Sequence, residues 1–164
     1  MKIFLTVGSM LPFDRLVRIV DDWKMTHHAH SIFAQIGEAN YRPINFEYQS
    51  MISPSAFRKR CSESDLIISH VGMGVVITAL ECGRPLIALP RKPELKEVTS
   101  NHQMATAKWL RKRPGIRIID DENQIDTLIS ETMSLGGEVE SISSKKRGDL
   151  VQAVRIFILE SLNT

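Results

Sequence analysis

Short, almost continuously apolar segments alternate with longer, helix-like segments along most of this 164-residue chain. Runs of Ile, Leu and Val without polar alternation are typical of parallel strands that are buried on both faces. The alternation predicts an α/β fold: a single Rossmann-like, doubly wound parallel sheet of about six strands with right-handed crossovers. The predicted strands are 3–7, 32–36, 44–48, 66–69, 86–89 and 116–119. The predicted helices are 12–24, 54–62, 75–82, 101–111 and 122–134.

Two helix boundaries and one further helix carry sequence signals of their own. Ser53 precedes Pro54, and this pair is favoured at the N-cap and first turn of a helix. Gly83 follows the third predicted helix, where a left-handed residue ends many helices. Residues 149–162 have the periodicity of an amphipathic helix, which we expect to pack either on its own domain or on a partner.

Composition and length bound the class of protein. With 43% hydrophobic and 24% charged residues, the chain resembles a soluble globular protein, and its length suits one domain over residues 1–164. No apolar run approaches the ~20 residues that a membrane span needs. The start, MKIFLTVGS, predicts a first strand rather than a signal peptide. The net charge of +2 does not indicate nucleic-acid binding, so we expect no nucleic-acid partner.

Cysteine, histidine and basic residues add little to this picture. Cys61 and Cys82 have the spacing of neither a disulfide framework nor a metal site, which suggests a reduced, cytoplasmic setting. The HHAH stretch at 27–30 fits no closed metal site, and we expect it to lie in a loop. Three basic clusters are either solvated helix ends or contacts to an anionic membrane surface or ligand. They are residues 58–60, 111–113 and 145–147.

A glycine pair after the fourth predicted strand is the leading candidate for a ligand site. In open α/β sheets, ligands bind beyond the carboxyl ends of the strands. In SHVGMGV, Gly72 and Gly74 lie between that strand and a helix, whose N-terminal N–H groups suit a phosphate. The pattern lacks the third glycine of a dinucleotide fingerprint, and no Walker-type sequence is present. A tight strand–helix turn without a ligand remains the alternative.

Two further loops open onto the same predicted edge. Gly8 and Ser9 follow the first strand in TVGSMLPFDRL, and two facing glycine loops suit a diphosphate better than one. The segment after the fifth strand ends in Asn101, His102 and Gln103 at a helix start. The side-chain amides of Asn101 and Gln103 could bind hydroxyl groups, since each amide offers donors and an acceptor. For each loop, a purely structural turn or cap is the competing interpretation.

Taken together, FLTVGSMLPFDRLV, SHVGMGVVITALECGRPLIALPR and NHQMATAKWL resemble the C-terminal, donor-binding half of family 28 glycosyltransferases of the GT-B type. The likeness is greatest to single-domain members. These serve as subunits in bacterial exopolysaccharide or capsule synthesis and, as the catalytic subunit, in the eukaryotic dolichol-linked UDP-N-acetylglucosamine transferase. The resemblance covers most of the chain in order and spacing.

The resemblance implies a UDP-sugar as donor substrate, with no other cofactor and no metal. By position, the resemblance implies that the diphosphate is bound by Gly8, Ser9, His70, Gly72, Met73 and Gly74. It also implies that uridine is bound by Met51, Ile52 and Thr78, and that the donor sugar is bound by Asn101 and Gln103. His70 and His102 are candidates for a catalytic base, which is otherwise unknown.

Two positions depart from the family pattern. Val75 stands where many relatives have Thr, and Thr78 stands where many have a Glu that holds the ribose hydroxyls. Glu81 lies one turn further along the helix and need not replace that carboxylate. The implied site of this chain therefore differs from that of many relatives mainly in the residues expected to bind the ribose.

The resemblance also implies a two-component enzyme. GT-B enzymes hold the acceptor and the usual base in a second domain, so we expect a membrane-anchored acceptor-binding subunit and a lipid-linked oligosaccharide acceptor. The pair would perform an inverting transfer at the cytoplasmic face of the membrane, with helix 149–162 joining the subunits. The alternative is a non-catalytic subunit that binds and enhances another transferase. A nucleotide-sugar epimerase on the same fold would need two such domains.

Overall fold

Six parallel strands form one sheet in the order β3-β2-β1-β4-β5-β6, which confirms the predicted doubly wound fold. The computed structural model describes residues 1–99 and 102–134, together with residues 149, 152 and 156. The strands are β1 Lys2–Thr6, β2 Ser31–Gln35, β3 Glu47–Gln49, β4 Leu66–His70, β5 Leu86–Leu89 and β6 Ile116–Ile118. The helices are α1 Asp14–Lys24, α2 Pro54–Glu63, α3 Met73–Cys82, α4 His102–Leu110 and α5 Ile125–Ser134. Short 3-10 turns occupy Pro93–Leu95 and Glu122–Gln124.

Helices cover both faces of the sheet, which is why its strands are apolar throughout. In β1, Ile3 and Leu5 pack into the core shared with α1 and α5, whereas Phe4 packs into the core shared with α2, α3 and α4. From β1 the chain adds β2 and β3 on one side of the sheet, and it then adds β4, β5 and β6 on the other side of β1. The adjacent strands β1 and β4 therefore form the topological switch point of the sheet. Their carboxyl ends are the place where this fold exposes ligand-binding loops.

The predicted strand at 44–48 is wrong, because a buried carboxylate takes its backbone amides. Asp21 is only 1% exposed, and its side chain accepts hydrogen bonds from the N–H of Ile44 at 3.1 Å and of Asn45 at 2.9 Å. It also accepts from the Tyr41 hydroxyl at 2.6 Å. Ile44 is consequently 84% exposed, and the edge strand β3 begins only at Glu47.

Helix starts shift, while the predicted caps are confirmed. α3 begins two residues earlier than expected, with Gly72 as its N-cap, and α5 begins at Ile125 after a 3-10 turn. The Ser53 hydroxyl accepts from the Ala56 N–H at 3.2 Å, and Gly83 is left-handed with φ 64°. The predicted C-terminal helix at 149–162 lies outside the described residues, apart from three isolated helical positions.

The histidine stretch and the basic clusters have structural roles where they are described. The His27 ring stacks on Trp23 at 4.3 Å between centroids and pairs with Asp126 at 3.0 Å. In the first basic cluster, Arg58 pairs with Glu81, and Arg60 lies over the Phe33 ring. Residues 145–147 lie outside the described part of the chain. Across that part, no helix combines the length and the apolar character that crossing a bilayer requires.

Candidate functional site

The two predicted glycine loops lie side by side because β1 and β4 are neighbouring strands. Thr6 pairs with Ser69 in the ladder, and the chain enters one loop after each of these residues. Gly8 lies in the first loop, and Gly72 lies in the second. The sequence prediction that both loops open onto one edge of the sheet is therefore confirmed.

The imidazole of His70 fills the space between these loops. A Cβ atom at Gly8 would lie 2.7 Å from His70 Cε1, and a Cβ atom at Gly72 would lie 2.1 Å from His70 Nε2. Gly8 also has a φ of +80°, which few other residues adopt. Protein packing alone therefore explains the absence of side chains at Gly8 and Gly72.

Gly74 has no such explanation. A Cβ atom there would meet no protein atom within 4 Å, and the residue is exposed in the first turn of α3. The first N–H groups of a helix lack intrahelical partners, and the N-cap Gly72 has no side chain to accept from them. The positive end of the helix dipole adds to these donors. The start of α3 is therefore open and suited to an anionic group.

The hydrogen bonds of His70 fix its tautomer. The Ser69 hydroxyl donates to the Thr6 carbonyl at 2.8 Å, so it accepts from His70 Nδ1–H at 3.2 Å. The Nε2 lone pair then faces Gly72. Burial, with the positive charge of Arg91 adding to it, lowers the pKa of His70 to about 4. The ring is neutral near pH 7, and such a weak base takes up protons poorly.

A buried arginine that sequence reasoning missed joins the first loop to the third. The Arg91 guanidinium donates to the carbonyls of Val7, Leu11 and Pro12 in the loop after β1. The Arg91 backbone N–H donates to Gln103 Oε1 at 3.1 Å. The signal available in the sequence is a charged residue two positions after a buried strand, at the ligand edge. Its carbonyl partners, some 80 positions earlier, are not readable from sequence.

Gln35 is the second residue that sequence reasoning missed. Its side chain is buried at the end of β2, and Nε2 donates to the Gly8 carbonyl at 3.2 Å. The Thr6 hydroxyl accepts from the Gly8 N–H at 3.3 Å. The conformation of Gly8 is thus held by side chains from two adjacent strands.

The residues predicted for uridine lie on the side of α2 and α3. Met51 follows β3 and is 52% exposed, and Ile52 packs at the edge of the α2–α3–α4 core. The Thr78 hydroxyl donates to the Gly74 carbonyl at 2.9 Å. Glu81, one turn further along α3, pairs with Arg58 at 2.8 Å.

The remaining predicted residues are less closely joined. Ser9 is exposed beside Gly8, and Met73 begins α3. Gln103 lies in the first turn of α4, on the loop that follows β5. Asn101 lies outside the described residues, and His102 is described only as the first residue of α4.

Comparison with known proteins identifies the family. Residues 2–154 match the model of the glycosyltransferase family 28 C-terminal domain. The chain is similar to the human UDP-N-acetylglucosamine transferase subunit ALG13, with 28% identity over 120 residues. That match covers 67% of this chain, and the chain spans only 10% of the relative's length. The mouse protein of the same name is 27% identical over 125 residues, covering 68% of this chain and 10% of its own length.

Solved structures share the fold. The glycotransferase of kitacinnamycin superposes with a TM-score of 0.63 and 19% identity, covering 95% of this chain and 40% of that one. The solution structure of ALG13 has a TM-score of 0.59 and 18% identity, covering 81% of this chain and 85% of that one. At these identities, the likeness shows the fold alone. Because the family model spans nearly the whole sequence, the chain belongs to glycosyltransferase family 28, as a C-terminal-type domain of that family.

Proposed function

We propose that this chain is the donor-binding, catalytic subunit of a two-component inverting glycosyltransferase that uses a UDP-sugar. The observation that carries the proposal is the open space at Gly74, where the protein itself gives no reason for a glycine. A ligand that approaches the backbone at a helix N-terminus supplies that reason, and a diphosphate is the ligand such a terminus favours.

The diphosphate contacts would come from two loops. The N–H groups of Met73 and Gly74 lie at the start of α3, and Ser9 lies exposed in the facing loop. His70 and Gly72 hold the second loop in shape, since the ring and the glycine fit against each other. In the transfer step, these donors would stabilise the negative charge that develops on the departing UDP.

The ends of the donor would lie on opposite sides of this centre. Main-chain groups around Met51 and Ile52 would line the uracil, and Thr78 would lie towards the ribose. Gln103, with Asn101 beside it in sequence, would hold the sugar. The human and mouse relatives are named UDP-N-acetylglucosamine transferase subunits, which supports a UDP-sugar for this chain.

The acceptor and the base would come from a partner. The described residues include His70 as a candidate base, but its low pKa makes it a weak one. We therefore assign the base and a lipid-linked oligosaccharide acceptor to a membrane-anchored subunit, which would recruit this chain to the inner face of the plasma membrane. The word subunit in the relatives' names supports a partner. Exopolysaccharide or capsule synthesis is the process we propose.

A non-catalytic enhancer subunit is the second candidate. The observation that favours it is Thr78, whose hydroxyl proton is used by the Gly74 carbonyl and which offers no carboxylate to a ribose. Under this alternative, the chain would stabilise another transferase without holding the donor.

Transfer assays with a reconstituted pair separate the two candidates. The chain is co-expressed with a candidate membrane-anchored subunit, and radiolabelled UDP-sugars are offered with a lipid extract as acceptor. Gln103→Ala should lower transfer by about tenfold or more, which corresponds to one lost hydrogen bond in the transition state. Lys108→Ala, exposed on the same helix, is the control and should transfer at the wild-type rate. Unchanged transfer by Gln103→Ala, with an intact complex, would support the enhancer instead.

A further inference from the structure

We propose that Arg91 is a positioning residue that sets the diphosphate loop and the sugar-facing amide of Gln103 relative to each other. The inference rests on the proposed donor-binding function, and it adds a residue that this function did not use. One buried side chain would then govern two parts of the site that are far apart in sequence.

The surroundings of Arg91 explain why an arginine stands there. Arg91 is 3% exposed, and within the described part of the chain its guanidinium donates to backbone carbonyl oxygens rather than to a carboxylate. The donor–acceptor distances are 2.9 Å to Val7, 2.7 Å to Leu11, 2.5 Å to Pro12 and 3.2 Å to Glu97. A planar fork with five N–H donors can reach four carbonyls in different directions, and an ammonium group cannot.

Three of these four carbonyls shape one loop. Val7, Leu11 and Pro12 flank the segment that contains Gly8 and Ser9, so the guanidinium holds both ends of the diphosphate loop. The guanidinium carbon also lies 4.5 Å from the centre of the Phe13 ring, at the residue that follows this loop. Removing the guanidinium would leave the buried Val7 carbonyl and the part-buried carbonyls of Leu11 and Pro12 without this donor, which is costly enough to rearrange the loop.

The backbone of Arg91 orients the amide of Gln103. Because the Arg91 N–H is a donor, the side-chain atom that meets it at 3.1 Å must be the Gln103 oxygen. The amide nitrogen, with its two N–H groups, is the part of the side chain left to face a ligand. A donor sugar would therefore meet Gln103 through an oxygen that accepts, such as a hydroxyl or carboxylate oxygen.

A second layer keeps Arg91 and its loop in place. The Glu97 carboxylate accepts from Arg15 Nε and Nη2, each at 2.7 Å, and from the Lys92 N–H at 2.8 Å. Arg15 also donates to the Pro90 carbonyl at 2.9 Å. These contacts tie the loop after β5 to α1, so the strand end that carries Arg91 is anchored independently of the guanidinium.

Electrostatics supports the same assignment. Burial lowers the pKa of Arg91 to about 10, against the opposing effect of Glu97. The side chain therefore stays protonated near neutral pH and places a fixed positive charge behind the diphosphate loop.

The test compares Arg91→Lys with two other variants in calorimetric titrations with UDP and UDP-N-acetylglucosamine. Gln103→Ala removes the sugar-facing amide, and Arg18→Lys, an exposed arginine on α1, is the matched control. Arg91→Lys should weaken both ligands by about tenfold or more, whereas Gln103→Ala should weaken only the sugar nucleotide. In the double variant, the losses should be non-additive for UDP-N-acetylglucosamine. Such selective coupling would not follow from a general loss of stability.

A ligand-free readout keeps the two proposals separable. Hydrogen exchange of the segment 7–13 should accelerate in Arg91→Lys and stay at the wild-type rate in Arg18→Lys. If Arg91→Lys does not fold, Glu97→Gln, which weakens only the second layer, should show the same effects at smaller size. A folded Arg91→Lys variant that binds both nucleotides with wild-type affinity, and whose segment 7–13 exchanges at the wild-type rate, would overturn the inference. Absence of wild-type binding to either nucleotide would instead contradict the donor-binding function, while the exchange result would still report on Arg91.

Discussion

The His70 imidazole lies where a side chain at Gly72 would begin, since a Cβ atom there would stand 2.1 Å from Nε2. The ring belongs to the last residue of β4, and the glycine caps α3 two residues later. Because Ser69 holds the His70 ring in this position, residue 72 in the turn before α3 has to be a glycine. The packing of His70 thus explains the glycine at position 72, whereas the glycine at position 74 is left to be explained by ligand access.

Substitution of the two glycines in this turn should have opposite effects on stability. Gly72→Ala should lower the free energy of unfolding by about 1–3 kcal/mol, because the new methyl group overpacks against His70. Gly74→Ala should leave stability unchanged or raise it by up to about 1 kcal/mol, because it meets no neighbour and lies in a helix. Urea denaturation of the two variants and the wild type measures both changes.

The same pair should respond differently to nucleotide. Gly74→Ala should bind UDP about tenfold more weakly despite its stability, because the methyl group enters the space we assign to the diphosphate. Calorimetry with UDP measures this affinity. Ala105→Gly, at an exposed helical position, is the comparison and should bind UDP normally. Wild-type UDP affinity in Gly74→Ala would remove the main support for the site.

Stability should fall as the pH drops through the range between 6.5 and 4. Burial lowers the pKa of His70 to about 4 and also lowers the pKa of His30, so the unfolded chain binds more protons in this range. The His70 contribution is fully present above pH 6.5 and is lost towards pH 4, a change on the order of 3 kcal/mol. Urea unfolding at several pH values gives the slope.

Two variants check the origin of that slope. His70→Gln cannot titrate, so its stability should depend less steeply on pH, whatever its absolute value. His28→Gln replaces an exposed histidine and should keep the wild-type slope. Equal slopes in all three proteins would show that His70 does not titrate in this range.

How much of the molecule could be predicted depended on whether the cause was local. The buried strands were predicted because burial on both faces makes each one apolar along its own length. The strand at 44–48 was mispredicted because its amides bind Asp21, more than 20 residues earlier in the chain. The proximity of the glycine loops was predicted from strand order. No local sequence pattern predicts that the His70 ring packs between the loops, or that Arg91 binds the Val7 carbonyl 84 positions earlier.

The buried carboxylate of Asp21 should prove important for the loop before β3. Asp21→Ala should lower the free energy of unfolding by about 2–4 kcal/mol, because three part-buried donors lose their shared acceptor. The hydrogen bond to Asp21, together with burial, raises the pKa of Tyr41 to about 12. Ultraviolet titration should show this pKa falling in Asp21→Ala. Asp22→Ala, exposed on the same helix, should lower this pKa much less, because Asp22 acts on Tyr41 only through a smaller charge effect.

Restoring a carboxylate at Thr78 should strengthen ribose recognition. Thr78→Glu places the acceptor that many family members have at this position one turn into α3, and it should raise UDP affinity by about three- to tenfold. The gain should disappear with 2′-deoxy-UDP, which lacks one ribose hydroxyl. Thr78→Ala, as control, should change UDP affinity by less than about twofold, because its hydroxyl proton serves Gly74. An equal gain for both nucleotides would argue against a ribose contact.

Titration of the ¹⁵N-labelled chain with UDP, followed by amide chemical shifts, tests the central claim most directly. Binding of a diphosphate between the glycine loops predicts saturable shifts at Gly8, Met73 and Gly74, with weaker effects from ADP because uracil is read separately. UDP that leaves these amides unchanged at millimolar concentration, or that shifts only residues away from the carboxyl ends of β1 and β4, would contradict the account.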